Sequence, residues 1–131
     1  MSIVEVITAA GEIVEFDTTN PPELEQLIVV LGERLEQLPG ELAALNEDRY
    51  AKERALLAKI EERRAHYLDE GKTATYARSR ALVDAMDERL ARDNAKVAWH
   101  YAADSLKAYT TRFNGLLNIN KANHAAMMGH R

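Results

Sequence analysis

The chain has 131 residues, of which 47% are hydrophobic, so it is long and apolar enough for one domain with its own core and is not compositionally disordered. It contains no cysteine, which excludes disulfide bonds, a thiol nucleophile and thiolate metal sites. The net charge of −4 is uneven, because residues 1–50 carry a balance of −9 and residues 71–131 a balance of +5. Two such halves can complement each other within one molecule or between two copies, and the basic half can also meet an anionic partner.

The start of the chain predicts a β-hairpin over residues 2–16. Two runs rich in Val, Ile and Phe flank Ala9, Ala10 and Gly11, where a turn is expected. An isolated two-stranded hairpin is only marginally stable in water, so we expect it to pack on a helix or on another copy.

Helical patterns follow over residues 21–38 and 41–70. Asn20 is a good N-cap, Pro21 suits the first helical position, and Glu23 completes a capping pair. Pro39 and Gly40 are expected to end or kink the first helix. Gly71 is a suitable C-terminal cap for the second.

A third helix is predicted over residues 74–122, with Thr73 as its N-cap and a frayed tail over 123–131. The short turn before it forces an antiparallel arrangement with the second helix. The predicted fold is therefore mainly α: one domain over 1–131, built as a long antiparallel helical hairpin with a kinked N-terminal helix and a short β-hairpin. No internal repeat is predicted. Positions equidistant from the turn should meet, and these are Ile60 with Val83, Leu57 with Met86, Leu42 with Tyr101, Leu35 with Ala108, Leu31 with Phe113, and Ile28 with Leu116.

Two apolar faces lie on nearly opposite sides of the long helix at 100° per residue. The first apolar face is predicted to pack on the second helix and contains Val83, Met86, Leu90, Val97, Tyr101 and Ala108. The second apolar face contains Trp99, Leu106, Phe113 and Leu117. A single partner helix covers only one face, so the second apolar face needs the β-hairpin, the first helix wrapping round after its kink, or another subunit. Of these we favour another subunit, with the second apolar face as the interface of a homodimer.

A basic stripe runs between the two apolar faces, and its members are Arg78, Arg89, Arg92, Lys96 and Lys107. These side chains are candidate nucleic-acid contacts, since a row of cations neutralises phosphates without reading sequence. The alternative is a solvated charged face, which is the commoner role of such a stripe. Acidic Asp93 and Asp104 lie beside it, and Trp99 and Tyr101 point away from it.

No catalytic or cofactor motif is evident, so the sequence predicts a protein that is not an enzyme and has no cofactor. Glu62, His66 and Glu70 follow at four-residue spacing and could in principle hold a divalent metal. Arg63 and Arg64 crowd that region, and a solvated charged face is the preferred interpretation. We therefore predict no metal site. His100 with Asp104 is interpreted as a local pair on the helix surface.

The segment 71–126 resembles small helical proteins of actinobacterial bacteriophages. The shared features are the capped, alanine-rich helix start after Gly71, the aromatic residues from Trp99 to Tyr101, and the polar end from Asn118 to Asn123. The resemblance implies a helical hairpin in a phage setting and carries over no functional residue, because these proteins mostly lack an assigned activity.

Together these patterns predict a cytoplasmic homo-oligomer, with a dimer favoured, that acts as a non-enzymatic assembly or adaptor protein through protein–protein contacts. A nucleic-acid-binding accessory factor is the alternative. No membrane partner is expected, since the longest apolar run outside alanine-rich segments, Leu27–Leu31, is far shorter than the ~20 residues that a spanning helix needs.

Overall fold

The computed structural model describes residues 2–129 of the chain. Its elements in chain order are β1 (Ile3–Ile7), β2 (Ile13–Asp17), α1 (Pro21–Asp69), α2 (Ala74–Asp84) and α3 (Met86–Met128). The predicted fold class is confirmed: the protein is mainly α, with an N-terminal β-hairpin and with α1 and α3 packed antiparallel. Within residues 2–129, no helix combines the length and the apolar character needed to cross a membrane.

The β-hairpin has one apolar face and one mixed face. β1 and β2 pair antiparallel, with Val4 opposite Phe16 and Val6 opposite Val14. Gly11 in the turn has a φ of 85°, a conformation that glycine adopts without steric cost. Because side chains alternate across a strand, these four paired residues face the core together.

Asp17 connects the hairpin to the start of α1. Its Oδ1 accepts hydrogen bonds from the Thr19 hydroxyl at 2.6 Å and the Thr19 amide at 3.0 Å. These donors stabilise the carboxylate and hold the pKa of Asp17 below its usual value. The Leu24 amide donates to the Asn20 carbonyl at 2.9 Å, so the helix begins where the capping pattern predicted.

α1 continues through Pro39, so the predicted end of a first helix at residue 38 is wrong. A proline inside a helix removes one hydrogen bond and crowds the preceding turn, at a cost of about 3 kcal/mol. Leu38, beside it, is buried, whereas Pro39 and Gly40 are exposed. Packing of the apolar residues on both sides of Pro39 therefore outweighs its local preference.

The turn after α1 has the predicted caps. Gly71 has a φ of 82°, its amide donates to the Leu68 carbonyl, and the Lys72 amide donates to the Tyr67 carbonyl. This is the Schellman arrangement, which satisfies the last carbonyls of a helix. Thr73 then caps α2, because its hydroxyl accepts a hydrogen bond from the Tyr76 amide at 3.2 Å.

The helix predicted over 74–122 differs from the structure at two places. Ala85, with φ −97° and ψ 15°, leaves helical geometry for one residue and separates α2 from α3. At the other end, α3 continues to Met128, so the tail predicted over 123–131 is helical for most of its length. Residues 130 and 131 of that predicted tail lie outside the described residues.

Contacts divide the chain, predicted as one domain, into two compact units. Unit 1 comprises Met1–Glu41 with Ala102–Arg131, and unit 2 comprises Leu42–Tyr101. The core of unit 1 joins the hairpin to both long helices through Val6, Phe16, Leu24, Leu27, Leu31 and Leu116. Phe113 and Ile28 pack against this cluster, which contains Leu31 and Leu116, their respective partners in the predicted register.

Candidate interaction surface

Inside unit 2, α1 meets α2 and α3 mainly through small side chains. Leu56 and Tyr67 are buried on α1. The buried side chains on the opposite helices are all alanines, namely Ala77, Ala81, Ala85 and Ala95. Alanine occupies little space between helices, so a face rich in alanine permits close packing without any large apolar side chain.

Polar contacts fix the register of this packing. Arg63 Nε lies 3.0 Å from Asp84 Oδ2, and Arg92 Nη1 lies 3.2 Å from Glu53 Oε2. The guanidinium carbon of Arg49 lies 4.3 Å from the ring centre of Trp99. As the residue numbers rise along α2 and α3, the residue numbers of their contact partners on α1 fall, so the helices run antiparallel. The register agrees with the predicted one to about one helical turn.

Three of the four predicted interface residues make contacts within their own chain. Trp99 is half-buried beneath Arg49 in unit 2. Leu106 and Phe113 are half-buried in unit 1, where the Phe113 ring would lie 3.6 Å from a Cβ placed on Gly32. Leu117 is the most exposed of the four, at 39%. The second apolar face is thus largely used inside the chain.

The first apolar face points outward, so its predicted packing on the second helix is wrong. Four of its side chains on α3 form what we call the exposed quartet, with exposed fractions of 55% for Met86, 61% for Leu90, 68% for Val97 and 76% for Tyr101. Val83 on α2 and Leu57 on α1, two of the predicted contact partners, are also more than half exposed.

Sequence periodicity could not assign the two faces because both are apolar at helical spacing. Pairing positions equidistant from the turn favoured the first apolar face as the inward one. In the structure, the alanines and charged residues around the second apolar face pack against α1 instead. Tyr50, which the predicted register places opposite Asp93, is likewise exposed, with Arg49 over its ring at 4.8 Å.

The exposed quartet belongs to an 11-residue repeat that the sequence analysis missed. Residues 86–96 and 97–107 match in character at six positions, which pair Met86 with Val97, Arg89 with His100, Leu90 with Tyr101, Ala91 with Ala102, Asp93 with Asp104, and Lys96 with Lys107. Eleven residues make three helical turns almost without drift, so the two side chains of each pair lie on the same line along α3. The quartet itself spans an arc of about 60°. A search of the sequence for matches at a spacing of 11 residues would have found this repeat.

Four of the five residues of the basic stripe are exposed, namely Arg78, Arg89, Lys96 and Lys107. Arg92 is not free, since besides Glu53 its Nε donates to Asp93 Oδ1 at 2.8 Å. The hydrogen bonds that Arg92 donates to the carboxylates of Glu53 and, to a lesser extent, Asp93 raise the pKa of Arg92. Arg92 therefore connects α3 to α1 and is a poor candidate for a nucleic-acid contact.

A polar cluster surrounds Asp84 at the end of α2. Its Oδ2 accepts hydrogen bonds from the Tyr67 hydroxyl at 2.5 Å and from Arg63, and its Oδ1 lies 3.6 Å from Arg80 Nε. The Tyr67 hydroxyl and then Arg63 hold the pKa of Asp84 below its usual value. A carboxylate stabilised in this way is a weak base, so the cluster suits a structural role rather than proton transfer.

The acidic and histidine side chains do not converge on a metal-binding geometry. His66 Nε2 and Glu70 Oε1 lie 3.1 Å apart, and both side chains are nearly half exposed. Across the part of the chain that the structure describes, no three such side chains are close enough to hold a metal ion. The distinctive surface feature is therefore the exposed quartet and the charges beside it.

Comparison with protein-family models, with curated protein sequences and with solved structures found no match to this chain.

Proposed function

We propose that this protein is a non-enzymatic assembly or adaptor protein whose first step is self-association through the exposed quartet of α3. The observation that carries the proposal is the set of four large apolar side chains on one helix face, each more than half exposed. Contiguous exposed apolar surface of this kind marks an interaction site more often than a solvated surface. The bacteriophage resemblance of residues 71–126 suggests an accessory role of this type in a phage.

The energetics support a reversible association. A large apolar side chain contributes about 1.5–3 kcal/mol on full burial. More than half of each quartet side chain remains to be buried, so eight of them in two copies contribute roughly 8–16 kcal/mol. Association costs about 4–15 kcal/mol in lost freedom. The two ranges overlap, so the apolar contacts alone support a reversible association rather than an obligate dimer. The proposal places its dissociation constant in the micromolar range, where the mass measurement below tests it.

The proposed interface differs from the one predicted from sequence. Trp99, Leu106 and Phe113 are half-buried within the chain, whereas every member of the exposed quartet is more than half exposed. Leu117 remains exposed enough to add to a second contact. The proposal thus keeps self-association and moves it to the opposite face of α3.

The test is the mass of the protein in solution, measured by sedimentation over a range of micromolar concentrations. We expect the wild type to approach twice the chain mass and Val97→Lys to remain monomeric, because the substitution places an unpaired charge in the centre of the quartet. Ile13→Lys is the matched control, since Ile13 is exposed at 71% and lies on the β-hairpin. A wild type that stays monomeric throughout this range would refute the proposal.

Nucleic-acid binding is the second candidate, and the exposure of Arg78, Arg89, Lys96 and Lys107 favours it. Repeating the mass measurement with DNA at low and moderate salt separates the two functions. Binding through the stripe predicts a protein–DNA complex that weakens steeply with salt and is lost when Lys96 and Lys107 are both changed to Glu. Self-association through apolar side chains predicts a dimer that needs no DNA.

A further inference from the structure

The spacing of the exposed quartet is the same when read in either direction along α3. Successive members are separated by four, seven and four residues. The midpoint between Met86 and Tyr101 is therefore also the midpoint between Leu90 and Val97, and it lies between Asp93 and Asn94. Two copies related by a twofold axis need a surface that is complementary to itself, and a reversible spacing meets this need because it places every member of the set opposite another member in an antiparallel helix pair.

We infer that two copies pair antiparallel along α3, around a twofold axis that passes between Asp93 and Asn94. This inference rests on the proposed self-association and specifies its partner and register. In this arrangement Met86 lies opposite Tyr101 of the second copy, and Leu90 lies opposite Val97 of the second copy. Every large side chain of the quartet then packs against another large apolar side chain.

The polar residues nearest the axis suit the same register. Asn94 is exposed and lies about 20° beyond one edge of the quartet, so its amide meets Asn94 of the second copy next to the axis. Paired asparagines in a helix interface specify register at a cost in stability. On the other edge of the quartet, the Asp93 carboxylates of the two copies approach each other. Each already accepts a hydrogen bond from Arg92 at 2.8 Å, which offsets their mutual repulsion.

Charges farther from the axis are complementary between copies. In an antiparallel pair related by a twofold axis, each edge of the quartet in one copy lies next to the same edge of the quartet in the other copy. Tyr101 and Asp87 lie toward the edge that carries Asn94, and the register brings them to the same level, so the Tyr101 hydroxyl can donate to Asp87 of the second copy. Lys96 lies within about 3 Å along the axis of Asp93 of the second copy. The opposed dipoles of two long helices further favour the antiparallel direction.

The chain contains no cysteine, so single cysteine variants report the register directly. The Asn94→Cys variant places two thiols beside the axis, within the ~7 Å between Cα atoms that a disulfide permits. The Tyr101→Cys variant places them about 20 Å apart along the helices, beyond reach. We expect mild oxidation to link most of the Asn94→Cys protein and little of the Tyr101→Cys protein, whereas a mixture of Met86→Cys with Tyr101→Cys should form the mixed dimer.

The outcomes separate this register from the self-association on which it rests. A wild type that is monomeric by mass overturns both. A dimeric wild type in which Tyr101→Cys links to itself as efficiently as Asn94→Cys shows a parallel pair and overturns the register alone. A dimeric wild type in which no variant or mixture links shows that another surface forms the dimer, and this also overturns the register. Circular dichroism of each variant verifies that it is folded before oxidation.

Discussion

At the scale of single residues, Asp84 makes the densest set of polar contacts that bears on stability. Its carboxylate accepts from the Tyr67 hydroxyl and from Arg63, and it lies close to Arg80. These donors lie 17, 21 and 4 positions away in the chain. Sequence spacing could suggest only the local Arg80 pair, because the other two contacts exist only after the register of α1 against α2 is set.

The first prediction concerns Asp84→Asn. The pKa of Asp84 is lowered in the folded protein, so its ionised form stabilises the fold above the unfolded pKa, and this stabilisation is lost as pH falls through the folded pKa. We expect the variant to unfold at lower urea concentration than the wild type at neutral pH, with a difference that shrinks in acid. Unfolding midpoints measured from neutral to acidic pH check this.

Asp104→Asn is the control for that experiment. It removes an exposed carboxylate on α3 and should leave the midpoint nearly unchanged at every pH. If the difference between Asp84→Asn and the wild type were as large in acid as at neutral pH, the ionised carboxylate would not be the stabilising group.

At the scale of elements, local signals predicted the ends of helices well and their interiors poorly. Gly71 and Thr73 act as caps where the sequence placed them, and α1 begins directly after Asn20, because a helix end depends on a few neighbouring backbone groups. Pro39 and Ala85 show the opposite behaviour. A proline that was expected to end a helix lies inside α1, and a helix-favouring alanine marks the interruption between α2 and α3. Both outcomes depend on packing around them.

The second prediction follows from the position of Pro39. Pro39→Ala restores an amide donor and removes the ring from the preceding turn, and the exposed site offers no packing to lose. We expect the free energy of unfolding to rise by as much as about 3 kcal/mol, measured by denaturant titration.

Gly71→Ala provides the matched comparison for Pro39→Ala. No atom would contact the added Cβ, but the φ of 82° at this position disfavours it, so we expect a loss of about 1–2 kcal/mol. The two substitutions both introduce alanine and should act in opposite directions. Equal effects of the two would mean that neither backbone argument applies.

At the scale of the whole molecule, the feature that decides where the proposed interface lies is which face of α3 is covered within each unit and which face is exposed. In unit 2 the covered side is rich in alanine and the exposed side carries the quartet. If two copies associate through the quartet, as we propose, the stability of the fold depends on protein concentration.

The third prediction uses this dependence. A dimer that forms only from folded chains stabilises the fold by mass action, so the thermal midpoint of the wild type should rise with protein concentration. The midpoint of Val97→Lys should stay constant over the same range, and calorimetry at several micromolar concentrations checks both. A concentration-dependent midpoint in Val97→Lys would place the interface elsewhere.

The sequence by itself determined the β-hairpin, the start of α1, the capped turn between α1 and α2, the antiparallel order and the approximate register, because turn residues, caps and 3.6-residue periodicity act over short distances. It also placed Val97 and Trp99 on different faces of one helix. Only the tertiary structure decided that Trp99 turns inward while Met86, Leu90, Val97 and Tyr101 turn outward. The physical reason is that the two faces are similarly apolar, and the choice depends on how alanines, Arg49, Glu53 and Arg92 fit together across the hairpin, which periodicity does not encode.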